Sequence, residues 1–102
     1  MIVYNVTVTI DTLIHEEWLE WMKNKHIPDV LSTGCFVSGR VFRVMGTDPA
    51  ADGGVSFAVQ YQANTMGDYQ RYQRMYAPRL QQEHAARYKD RFVALRTLLE
   101  EQ

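Results

Sequence analysis

A single cysteine, Cys35, excludes an intrachain disulfide and fits a reducing compartment. Neither sign of charge dominates: 11 Lys and Arg against 12 Asp and Glu leave a net −1, which argues against a generally cationic coat for nucleic acid. No apolar run approaches the roughly 20 residues that span a bilayer. The opening MIVYNVTVTI alternates and has no basic n-region, so it does not read as a signal peptide. The expectation is a soluble cytoplasmic protein. The phosphate-cradling patterns G-x-x-x-x-G-K and G-x-G-x-x-G are both absent. His15, His26 and His84 show no HxH or H-x₃-H spacing, so neither a metal nor another cofactor is expected. No linker, repeat or low-complexity segment divides the 102 residues, which predicts one domain over 1–102.

What is present is apolar and periodic, with 46% of residues hydrophobic and 12% aromatic, enough for a core and for part of an interface. Residues 2–10 alternate, with Ile2, Tyr4, Val6, Val8 and Ile10 on one face and Val3, Asn5, Thr7 and Thr9 on the other, the period of a β-strand. Asp11 or Thr12 can cap a following helix, whose stripe centres on Trp18 and Met22. Pro28 should push Ile27 out of the α region and end that helix near His26, with one further turn from Pro28 to Leu31. Phe36 to Met45 reads as a second strand, GTDPAADGG as turn chemistry, and Val55 to Gln62 as a third strand. Thr65 and Asp68 start a second helix. Pro78 should break it, leaving a separate short helix over 78–88, and Phe92 to Leu99 is the last strand.

The order β-α-β-β-α-β is the ferredoxin-like split βαβ unit of the α+β class. Right-handed crossovers place both helices on one face of a four-stranded antiparallel sheet. The Tyr4, Val6, Val8, Phe57, Val59 and Tyr61 side should meet the helices. The Asn5, Thr7 and Thr9 side is semi-apolar, and a second copy packed sheet to sheet would cover it; an open, solvated face is the alternative. RNA-recognition domains share this order, but GVSFAVQY does not fit their aromatic register, so no nucleic-acid partner is expected.

Several stretches carry a family likeness: IVYNVTV, HEEWLEWMKNKHIPDVL, GGVSFAVQY, YQRYQRMYAPRLQQEHAARY and RFVALRTLLE, together nearly the whole chain. With the W-x-x-W-M-x-x-x-H-I-P-D of helix one, the chain resembles a small bacterial family of unassigned function in the dimeric α+β barrel superfamily. That resemblance implies the ferredoxin-like fold and a homodimer. It is also distantly similar to antibiotic-biosynthesis-type monooxygenases, and the superfamily hosts isomerases and ligand-sensing modules besides, so the fold selects no single activity.

Three groups of residues could carry chemistry. His26 could shuttle a proton near neutral pH at the mouth between helix and sheet, or it could cap helix carbonyls. Tyr69, Tyr72 and Tyr76 share a helical face opposite Tyr4 and Tyr61; with Trp18 and Met22 they could line an aromatic pocket, or they could be core. Arg40, Arg43 and Arg96 sit on strands, where each needs an ion pair or a carboxylate ligand. Two functions follow. In one, a small-molecule enzyme without metal or nucleotide does proton-transfer or oxygen chemistry on an aromatic or enolisable ligand: His26 moves the proton, Tyr69 or Tyr76 steadies an oxyanion, and Trp18, Met22 and Tyr61 contact the ligand. In the other, the chain is a non-enzymatic binding or dimerisation module.

Overall fold

A computed structural model describes all residues from Met1 to Gln102. Its strands are β1 (Ile2–Ile10), β2 (Ser38–Arg43), β3 (Val55–Ala63) and β4 (Phe92–Glu100). They form one sheet in the order β2-β3-β1-β4 with every pairing antiparallel. The helices are α1 (His15–Trp21), α2 (Ile27–Leu31), α3 (Pro49–Asp52), α4 (Met66–Met75) and α5 (Ala77–Arg87). This is the expected ferredoxin-like arrangement. Trp18 packs on Phe57 and Tyr72 packs on Tyr4, so helices from both crossovers cover the same side of the sheet.

Asp11 caps the chain as it leaves β1, accepting from the Leu13 N–H at 2.9 Å. Thr65 caps α4 by accepting from the Asp68 N–H at 3.1 Å. The turn before β3 needs glycine at Gly54: its φ is +158°, and a Cβ there would lie 2.2 Å from the Ile10 carbonyl oxygen.

The first helical run corrects two expectations. It does not end near His26. Met22–His26 forms a π segment between α1 and α2, closed by the Ile27 N–H donating to Met22 O. Ile27 stays in the α region at φ −61°, ψ −46°, although a proline follows it. Pro28 has no N–H to donate to the Asn24 carbonyl, and its ring would strike that oxygen in a regular α-turn. One wider turn upstream makes room and lets the helix continue. The third difference is small: the turn GTDPAADGG holds the single-turn helix α3, capped by Asp48. The break at Pro78 occurs as expected, at Tyr76, whose φ of −124° separates α4 from α5.

Nineteen buried hydrophobic residues make one core between sheet and helices. The other face has no cover. Its cross-strand rows run Phe42–Ala58–Thr7–Leu95 and Arg40–Gln60–Asn5–Thr97. Val93 and Leu95 on that face are 72% and 69% exposed.

Candidate functional site

The cavity between sheet and helices lies where β1 and β4 face the π segment and α5. Its enclosed volume is about 40 Å³, and it opens to solvent on the side where Arg96 is exposed. The enclosed part therefore has room for little more than ordered water, and a ligand would sit largely in the cleft at that opening. The apolar part of the wall is supplied by Val6, Val8, Met22, Val59, Phe92 and Ala94. The polar part consists of His26, Gln81, His84 and Arg96 with the phenols of Tyr4, Tyr61 and Tyr72. No carboxylate lines it.

His84 has a defined protonation state. The Trp18 indole N–H, which can only donate, donates to His84 Nε2 at 2.9 Å in a buried contact. Nε2 is therefore unprotonated, and the neutral ring carries its proton on Nδ1. Burial lowers the His84 pKa to about 4, with His26 and Arg96 pushing the same way. Phe92 stands edge-on to the ring at 4.5 Å and His26 at 5.7 Å.

His26 differs in its partners. It is buried, and its Nδ1 has no hydrogen-bond partner. Burial depresses its pKa; Glu83 and Asp29 work against that, and Lys25 adds to it. Lys25 pairs with both of those carboxylates on the outer surface. Trp21 stacks on the ring at 5.3 Å. The helix runs on past this residue, so the capping alternative does not describe it. The π segment instead turns its ring inward, where burial disfavours the imidazolium.

The phenols are desolvated as well. The Tyr61 hydroxyl is buried without a partner, and burial holds its proton on strongly. Tyr72 is shifted upward for the same reason. Tyr4 accepts from Gln81 Nε2 at 3.4 Å; burial raises its pKa, and the neighbouring Arg96 guanidinium offsets part of that rise.

Of the residues expected at a site, Met22, His26 and Tyr61 line this cavity. Trp18 stands behind the wall and holds His84. Tyr69 is half-buried against Tyr4, and Tyr76 forms the break between α4 and α5; neither lines the cavity. Arg40 and Arg43 fall on opposite faces of β2, paired with Gln60 and Phe57. Of the intersubunit or intrachain ion pair expected for Arg40, Arg43 and Arg96, the intrachain form is not made: the five ion pairs use Lys25, Arg71, Arg87 and Arg91. Sequence reasoning passed over His84 and Gln81. The spacing of Ala77, Leu80, His84 and Tyr88, three then four then four, was the available signal, because it sets His84 in line with an apolar stripe.

No three His, Cys, Asp or Glu side chains assemble as a metal site, and no helix is long and apolar enough to cross a membrane.

Among solved structures, an ethyl tert-butyl ether D (EthD) family protein from Bacillus halodurans superposes with a TM-score of 0.70 at 14% identity, covering 100% of both chains. A dimeric ferredoxin-like protein from an uncultured marine organism gives 0.64 at 11% identity, covering 99% of this chain and 95% of that one. A de novo designed protein with a ferredoxin fold gives 0.51 at 20% identity, covering 98% and 85%. At such identities the likeness is one of fold. Among curated proteins none matches the sequence. The family model described as Domain of unknown function (DUF4286) matches residues 1–102, so the chain belongs to that family.

Proposed function

We propose that the protein is a homodimer that binds a small organic molecule in the cleft between sheet and helices and moves a proton on it. The observation that carries this reading is the His26 Nδ1, buried beside the cavity with no partner. A buried, unpaired nitrogen costs on the order of 1–3 kcal/mol, and a ligand or water that pairs with it recovers that cost. His26 is held neutral, so its imidazole can accept a proton. In the step proposed, the proton on a carbon beside a carbonyl passes to His26, giving an imidazolium and an enolate. The same proton then returns to the enolate at a different atom, so nothing else is consumed. The neutral Tyr4 and Tyr61 hydroxyls at the cavity wall can donate to the enolate oxygen, a position that Tyr69 and Tyr76 do not occupy.

The dimer would form through the open sheet face. Val93, Leu95, Leu99 and Phe42 are bare on it, and apolar surface of that kind favours a partner. The dimeric ferredoxin-like relative in fold supports the same reading. A cytoplasmic location is part of the proposal, consistent with the lone buried thiol of Cys35. The small enclosed volume favours a second reading, a dimeric binding module without catalysis.

Native mass spectrometry of protein from its own host tests both parts. The expected spectrum shows two chains and a retained small molecule. Turnover of that molecule should be lost in His26→Gln with the fold intact. Turnover that survives the substitution removes the catalytic role, and binding without turnover in either protein selects the second reading.

A further inference from the structure

Arg96 is the one permanently charged side chain on the cavity wall. It lies on β4 opposite Val6 of β1, on the side of the sheet that the helices cover. It is exposed, but no carboxylate of the chain comes within ion-pair distance. Glu83 and Asp29, the two carboxylates whose charge reaches His26, are already engaged by Lys25.

The groups around Arg96 are mostly donors. Gln81 presents an amide N–H₂, already aimed at Tyr4. His84 carries its proton on Nδ1 because Trp18 occupies Nε2, and that Nδ1 makes no hydrogen bond within the chain. The Tyr61 hydroxyl has a proton and no acceptor. A cavity with one cation, two unspent donors and no carboxylate suits an acceptor that brings negative charge. The apolar side chains beside Arg96 suit an organic body lying at the opening. They suit inorganic phosphate poorly, which would need more donors to replace its hydration.

We infer that the cleft takes a small planar organic monoanion, a carboxylate that also carries an enolisable carbonyl, with its carboxylate on Arg96 at the mouth and its flat body toward Met22 and Phe92. This deepens the proposed function and rests on the cleft being a ligand site. It supplies what His26 lacks there, a fixed handle that orients the substrate. A guanidinium offers two parallel N–H donors to a carboxylate, so the grip sets direction as well as affinity.

The test measures affinities of the full-length protein for benzoate, benzamide and inorganic phosphate by ligand-observed NMR. Benzamide has the shape of benzoate without its charge. Benzoate should bind about tenfold more tightly than benzamide, the worth of one charge-assisted contact. Arg96→Gln should erase that preference. Arg96→Lys should keep roughly a third of it, because the charge remains and the fork does not. Arg74→Gln, an exposed arginine on α4 away from the cleft, should leave it unchanged. Circular dichroism and native mass of each variant establish that the fold and subunit count are retained. Equal binding of benzoate and benzamide, or a preference that survives in Arg96→Gln, overturns the anion class and leaves the cleft as a ligand site. Phosphate binding as tightly as benzoate overturns the planar organic class. If the wild-type protein binds none of the three, the cleft reading fails and this inference fails with it.

Discussion

The two faces of the sheet are short of opposite things. The covered face is mainly apolar, and two of its polar groups are left without partners: His26 Nδ1 and the Tyr61 hydroxyl are both buried and unpaired. The open face is polar at its centre, and those groups satisfy one another. Asn5 donates to Thr7 at 3.1 Å and accepts from Gln60 at 3.3 Å, while Thr9 and Ser56 share a hydrogen bond at 2.8 Å. What it leaves bare is hydrocarbon, at Val93, Leu95, Leu99 and Phe42. A face with spare donors suits a small polar ligand. A face with satisfied polar groups and exposed aliphatics suits another protein surface. One four-stranded sheet thus separates a candidate ligand site from a candidate interface.

The largest expected effects come from exchanging a side chain on each face. Trp18 is completely buried on the covered side, and Trp18→Ala should cost about 3–5 kcal/mol of unfolding free energy in urea titrations. Leu95→Lys on the open side should change the stability of an isolated protomer by less than about 0.5 kcal/mol. It should weaken the proposed dimer at least about 100-fold by sedimentation, since each copy would lose a leucine from the proposed interface. A Leu95→Lys protein that unfolds as readily as Trp18→Ala would erase the contrast between the faces.

Next in size is the acid response of the covered face. The folded-state pKa of His84 is depressed to about 4, below the ordinary value of 6.5. Protons therefore bind the unfolded chain more readily. The stabilising contribution is complete above pH 6.5 and falls away as pH drops from 6.5 toward 4, by about 3 kcal/mol in all. His26 is shifted in the same direction and adds to the loss. Thermal melts should show Tm falling through that window, with a shallower slope in His84→Gln. A Tm that stays flat from pH 7 to 4 would mean that the two rings are not held neutral by burial.

Smaller still should be Trp18→Phe, which keeps most of the packing and removes the N–H that fixes the His84 tautomer. It should cost about 1–3 kcal/mol and free His84 Nε2 to take a proton. A wild-type tautomer in that variant would remove Trp18 as the positioning residue.

The strands and both sheet faces were legible in the sequence, because period-two alternation survives in β1 and β3 without interruption. The open face was legible only as a semi-apolar pattern; the exposure of Val93 and Leu95 depends on β4 lying at the edge beside β1. The site was harder to read. The π segment shifts helical register between Met22 and His26, so a constant 100° step misplaces the residues beyond it. Tyr69, Tyr72 and Tyr76 share a helical stripe, yet only Tyr72 reaches the cavity, because α4 ends at Tyr76. Gln81, His84 and Arg96 meet Tyr4 from more than 70 residues away. No local pattern announces that meeting; the pairing of β4 with β1 and the packing of α5 create it.

The central claim is that the covered face holds two neutral imidazoles, one locked by Trp18 and the other unpaired. Long-range proton–nitrogen NMR of the full-length protein at pH 7 measures this directly. The spectrum should show both rings neutral, with the His84 proton on Nδ1 and the Trp18 indole proton bonded to Nε2. An imidazolium signal from either ring at pH 7, or a His84 proton on Nε2, would contradict the account.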